Sequence, residues 1–513
     1  MRTARVASRA QLGLSAPRVE VEVHLGPGLP IFSIVGLPAT AVKESKDRVR
    51  AALQNSGFEF PAGRITVNLS PADLPKEGCR YDLPIALGIL LATSQLASDE
   101  LLARTEFYGE LGLAGELKPI KGVLLVAAHA TRDLRSVVVP AANAQEARLV
   151  APAATRGANT LLEVCGLFGA SAPASIEIAD EPRAPVARVD ERPTDLSDVR
   201  GQAAAKRALV VAAAGGHSIL LIGPPGTGKS MLAQRLPGLL PALEGDEALE
   251  VASIASVSTR GFNACDYGRR PFRSPHHTAS AGAIIGGGSH ARPGEVSLAH
   301  RGILFLDELP EFNRSVLESL REPLESGVVA ISRAALQVEY PARFQLVTAM
   351  NPCPCGYLGD TSGRCRCAPP EIARYRARIS GPLLDRIDLR VEVPTVGSEE
   401  LLGERAPADA ALTSVFAAQR VRRTRELQYS RAGKLNVELT GEEIGDFCRL
   451  DRACRLLLAQ ARAKLSLSAR GVHRVIRVAR TIADIACADL EKETGPIGPV
   501  HLAEALQLRR ASD

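Results

Sequence analysis

Eight residues constrain this chain more than any others. A short apolar run, SILLI (218–222), reads as a buried strand, and the glycine loop GPPGTGKS (223–230) follows at once. The next residues, MLAQRLPGLL, continue as a helix. Strand, glycine loop and helix, with G-x-x-x-x-G-K-[ST] spacing, make a phosphate-binding loop in its proper context. Gly223, Gly226 and Gly228 let backbone N–H groups close around phosphate oxygens, with Pro224, Pro225 and Thr227 completing the loop. The helix N-terminus adds partial positive charge. Lys229 is expected to reach the β- and γ-phosphates and Ser230 to ligate magnesium, so ATP and Mg2+ are the expected cofactors. The alternative is a fortuitous glycine loop.

Three later segments supply the rest of such a site. The apolar run ILFLDE (303–308) ends in two acids: Asp307 is expected to hold magnesium, directly or through water, and Glu308 to polarise the attacking water. Two acids after a strand also begin many ordinary loops. FQLVTAMN (344–351) ends in Asn351, which is suited to orienting that water or, alternatively, to forming a turn before Pro352. GPLLDRIDLRVEVP (381–394) sets Arg386 between two acids, either as an arginine that neutralises transition-state charge or as a local partner of Asp385 or Asp388. Arg470, Arg474 and Arg477 share one helix face; Arg470 is the candidate for nucleotide, and at least one of the three reads as a surface charge.

A chain of 513 residues exceeds one core, so several domains are expected. Residues 1–170 alternate strand signals (19–25, 31–37, 64–69, 136–140) with helical stretches near 40–55 and 82–97. The Ala-, Pro- and charge-rich stretch 171–194 reads as a linker. A second α/β domain spans 195–400, a connecting basic segment 401–435, and a helical tail 436–513. Neither a long apolar run nor a signal-type N-terminus is present, so no membrane partner and a cytoplasmic location are expected. The net charge of +5 does not by itself require a nucleic-acid partner. Basic residues are dense at 420–434, where the plain alternative is a solvated helix face. With no Trp and 4% aromatics, base stacking is not the expected mode of contact.

Four of the ten cysteines, Cys353, Cys355, Cys365 and Cys367, form C-x-C-x9-C-x-C within the second domain. Four thiolates so close complete a tetrahedral Zn2+ site, although C-x-C is tighter than the usual C-x2-C and free reduced thiols remain the alternative. A metal there would brace the strand ending at Asn351 and present Arg364 and Arg366 outward. His276 and His277 read as loop or capping residues.

These motifs, with PFRSPHHTASAGAIIGGG (271–288) and NPCPCGYLGD (351–360), resemble the magnesium-chelatase-like AAA+ family, in its YifB/ComM branch. The resemblance runs over nearly the whole chain. It implies a central P-loop AAA+ domain of the helix-2-insert clade with a C-terminal helical lid, assembled as a homohexameric ring ATPase. ComM members of that branch are helicases that promote branch migration during integration of transforming DNA, which implies branched or single-stranded DNA and recombination proteins as partners. The alternative is metal insertion or protein remodelling, as in the chelatase. By the resemblance, 271–298 becomes the helix-2 insert and 327–343 a hairpin, both facing a pore, with His290, Arg292 and Arg333 as candidate DNA contacts. The N-terminal region is similar to the ribosomal-S5-like proteolytic domain of Lon through 68–90 and 115–130. Where Lon carries its serine this chain reads EGCRYDLP, the catalytic lysine position falls at Leu124, Lys121 is out of register, and Cys79 has no evident base. Peptidase activity is therefore not expected.

Overall fold

The computed structural model describes residues 3–169, 194–288, 291–333, 336–359, 363–397, 413–465, 467–492 and 495–509. The expected linker (171–194, except Thr194), His290 and the side chain of Arg333 lie outside the described residues. The chain forms two compact units, one of residues 1–189, 245–267 and 334–338, the other of 190–244, 268–333 and 339–513.

In the first unit, β-branched alternation builds β1 (Thr3–Arg9), β2 (Arg18–Gly26), β3 (Phe32–Val35), β4 (Arg64–Ser70), β5 (Thr105–Phe107), β6 (Ser136–Pro140) and β7 (Thr155–Ala158). They form one mixed sheet in the order β3-β4-β2-β1-β5-β6-β7. Val19, Val21 and Val23 point to the covered face and are fully buried, as period-two patterning requires. The covering helix Asp82–Ala92 is apolar on nearly every side and correspondingly buried all round. It ends five residues before the expected position: Thr93 bonds back to the carbonyls of Ile89 and Leu90, and Ser94 turns the chain at φ 61°. The stretch expected as one helix near 40–55 is two, Thr40–Lys43 and Ser45–Asn55, parted at Glu44.

The helix Gly245–Ser256, which lies inside the sequence of the second α/β region, groups with this first unit. Gly122 N–H donates to Ser256 O at 3.1 Å, Lys121 Nζ to Thr259 O at 2.7 Å, and Ser256 Oγ to Glu146 at 2.5 Å. Burial pushes the Cys79 thiol up to about 11, Leu124 is core, and the Lys76 amine donates to the Pro71 carbonyl.

The second unit is built on a five-stranded all-parallel sheet. Its strands are β8 (Ile219–Ile222), β9 (Phe272–Arg273), β10 (Ile303–Leu306), β11 (Gln345–Met350) and β12 (Leu389–Glu392), in the order β9-β10-β11-β8-β12. Because the pairing is parallel, the C-terminal ends of β8, β10 and β11 lie side by side: Ile222 is opposite Met350, and Leu306 opposite Thr348. The connecting segment supplies the helix Ser414–Ala432, and the tail supplies Arg452–Lys464, Ala469–Asp489 and Pro499–Gln507; they pack around an apolar cluster that includes Val421, Val475, Ala479 and Ile482.

The basic stretch 420–434 is only in part a solvated face. Arg425 is buried and donates to Ala213 O, Arg431 clamps Asp484, Arg420 holds Asp489, and Lys434 pairs with Glu443. Arg422 and Arg423 remain outward, 3.7 and 3.9 Å from Glu426 and Glu491. Among the described residues no helix is long and apolar enough to cross a membrane.

Candidate active site

The glycine loop leaves β8 pressed against the sheet. A Cβ on Gly223 would lie 2.1 Å from the Val393 carbonyl oxygen, so only glycine fits there. Gly226 and Gly228 adopt φ +78° and +88°, and Gly228 caps the helix that starts at Lys229. Thr227 Oγ1 closes the loop by donating to Pro224 O at 3.0 Å. The Lys229 side chain runs back under the loop, where Nζ donates to Gly223 O at 2.6 Å, Pro224 O at 2.8 Å and Asn351 Oδ1 at 3.2 Å. Burial lowers the Lys229 ammonium below the ordinary lysine value, against the opposing pull of Asp307 and Glu308.

Asp307 follows β10 and accepts from Ser230 Oγ at 2.6 Å. A hydroxyl and a carboxylate held together beside a lysine are an oxygen donor set of the kind magnesium takes, so these residues fit the ion. Glu308 stands at φ 52°, a left-handed conformation that non-glycine residues rarely adopt away from turns and functional sites. Its carboxylate lies 3.1 Å from His277 Nδ1. His277 was legible in the sequence only as a loop histidine, because the segment that carries it shows no periodicity to aim it.

The remaining candidates gather elsewhere in this unit. Arg386 does not pair with Asp385 or Asp388. Its Nη2 lies 2.5 Å from Glu325, and Arg470 reaches the same carboxylate at 3.5 Å. Asp385 receives Arg509 and Ser468, while Asp388 receives Arg474 at 2.6 Å. Of the three arginines expected to share one face of the tail helix, Arg470 is the exposed one; Arg474 is fixed at Asp388, and Arg477 donates to the Leu439 carbonyl.

The four cysteines come together. All four sulfurs lie within 4.8 Å of one another, with Cys353–Cys355 at 3.4 Å, Cys353–Cys365 at 3.8 Å and Cys355–Cys365 at 3.7 Å. Zinc–sulfur bonds of about 2.3 Å in a tetrahedron separate the sulfurs by about 3.8 Å, so the thiols fit the ion. The Tyr357 backbone N–H leads the contacts that bring the Cys355 thiol down to about 6, and the Leu358 N–H donates to Cys353 Sγ at 3.3 Å.

Comparison with known proteins follows the same layout. Residues 195–401 match the family described as magnesium chelatase, subunit ChlI; 21–143 match subunit ChlI of Mg-chelatase, and 411–509 the ChlI C-terminal family. Competence protein ComM of Haemophilus influenzae is 48% identical over 99% of this chain and 98% of its own length. YifB of Salmonella typhimurium is 47% identical over 99% and 97%. The DNA replication licensing factor mcm6 of Schizosaccharomyces pombe is 24% identical over 58% of this chain and 30% of that protein. Identity at this level along the full length, with family matches over most of the first unit, the parallel sheet and the tail, makes this chain a member of the ComM/YifB branch of the magnesium-chelatase-like AAA+ family.

Proposed function

We propose that the protein is an ATP-hydrolysing homohexameric motor that migrates branched DNA. The observation that carries the ATPase half is the meeting of three strand ends, where Lys229 touches Asn351 and Ser230 touches Asp307. In this reading Gly223–Ser230 cradle the phosphates, Lys229 neutralises them, and Ser230 with Asp307 holds magnesium. Bound magnesium supplies charge neutralisation on the phosphate oxygens. Glu308 accepts a proton from the attacking water, which Asn351 orients. Arg386 of a neighbouring copy stabilises the transition-state charge, and Arg470 adds a second cation. The four thiols hold one structural Zn2+.

The DNA half rests on the similarity to ComM and, more distantly, to a replication licensing factor. Recombination proteins are candidate partners. Purified protein with ATP should migrate a synthetic branched junction, and forked or single-stranded DNA should stimulate its ATPase. An ATPase indifferent to DNA and stimulated by porphyrin-pathway proteins would replace this reading with metal insertion or protein remodelling, the activity class after which the matching family is described.

A further inference from the structure

Beyond holding a loop together, the cysteine cluster touches the catalytic apparatus. Gly356, between the two halves of the C-x-C-x9-C-x-C loop, is buried at φ +86°. A Cβ there would lie 2.8 Å from Pro225 Cδ and 3.8 Å from Asn351 Cγ. The loop backbone is therefore seated directly on the phosphate loop and on the asparagine that receives Lys229. On its metal side the same turn is tied to the sulfurs: Gly356 N–H donates to Cys353 O at 3.0 Å, and Leu358 N–H to Cys353 Sγ. On its outer side the Arg364 guanidinium lies 4.2 Å over the Tyr357 ring. Four thiols at these spacings attract one another only weakly, because S–H is a poor donor. A zinc ion bonding all four is what would fix the turn.

We infer that Cys353, Cys355, Cys365 and Cys367 form a zinc clasp that seats Gly356 against Pro225 and Asn351, so that zinc occupancy sets the rate of ATP hydrolysis as well as local stability. The inference rests on the ATPase reading above and is independent of DNA, so basal ATPase without DNA is its readout.

Full-length protein purified under reducing conditions should carry about one zinc per chain by elemental analysis. Cys365→Ser with Cys367→Ser should remove it and lower kcat at least about tenfold, with a smaller change in KM, because misplacing a positioning group costs rate before affinity. Gly356→Ala keeps every cysteine; it should retain zinc and show the same loss of kcat. Gly359→Ala is the control, since Gly359 has a similar left-handed backbone (φ +79°) with, among the described residues, nothing within 4 Å of an added Cβ. It should keep both zinc and turnover.

Zinc-free wild-type protein with full activity overturns the inference. So does wild-type turnover in Gly356→Ala, or in a cysteine variant shown by circular dichroism to be folded. Should the cysteine variant fail to fold, Gly356→Ala decides alone. If the wild-type protein hydrolyses no ATP, the inference falls with the ATPase reading, while zinc content still reports on the clasp.

Discussion

Single residues in the site separate functions that a whole-domain deletion would merge. Glu308 lies outside the phosphate cradle, whereas Lys229 lies within it. Glu308→Gln should therefore keep nucleotide bound, by fluorescent-nucleotide titration, while turnover falls by about 10²–10⁴-fold, the usual worth of a general base. Lys229→Ala should lose both, and near-normal turnover in Glu308→Gln would remove the base assignment. Asp388 is the structural counterpart. Burial alone would raise its carboxyl, yet His217 and Arg474 hold it well below the usual carboxylate range. A folded-state value below the unfolded one adds stability that is fully present above pH about 4 and is lost as the pH falls below it. Asp388→Ala should destabilise by about 1–3 kcal/mol at neutral pH, because the buried Ser218 N–H and hydroxyl and the half-buried Arg474 lose the carboxylate that accepts from them. Urea unfolding should show that gap narrowing in acid.

At the scale of elements, what the sequence made legible was local. Strand 136–140 and the strand–loop–helix at 218–235 were readable because a β-branched run or a glycine loop determines its own geometry. What stayed hidden depended on distant partners. Arg425 looks like any helix-surface cation until Ala213, more than two hundred residues earlier, offers it a carbonyl. Arg386, for which a local pairing with Asp385 or Asp388 is the plain alternative in the sequence, meets Glu325 instead. His277 gains meaning only where Glu308 meets it. The same contrast predicts stability. Arg425→Ala should cost about 1–3 kcal/mol, the penalty for a lost buried hydrogen-bond partner. The double change Arg422→Ala, Arg423→Ala should stay within about 0.5 kcal/mol by thermal melting. Arg292 is exposed on the proposed pore insert. Its replacement by Ala should leave basal ATPase intact, weaken DNA stimulation, and reduce the salt slope of DNA binding by about one. An unchanged slope would move the grip elsewhere.

For the whole molecule, the proposed ring makes a test of shared sites. Arg386→Ala and Glu308→Gln proteins, each inactive alone, should recover part of their ATPase when mixed, because an intact Glu308 can then meet an intact Arg386 across a subunit boundary. Mixed rings without recovery would place the arginine's role within its own chain. Connectivity sets a further limit on what can be taken apart. The polypeptide leaves the second unit after Glu244 to lay Gly245–Ser256 and the residues to Tyr267 into the first, then goes back at Gly268. Cleavage at an engineered protease site near residue 180 would thus yield two pieces that still migrate together in native gels, the longer one carrying the missing wedge of the shorter. Expressed alone, the first 170 residues would present an unfilled notch beside Gly122 and Glu146 and should precipitate, whereas co-expression with the remainder should rescue them as a split protein. Inheritance of the two halves is in this sense indivisible: recombination between genes cannot exchange the front unit by a single crossover in the linker without also exchanging a helix encoded some sixty residues further on.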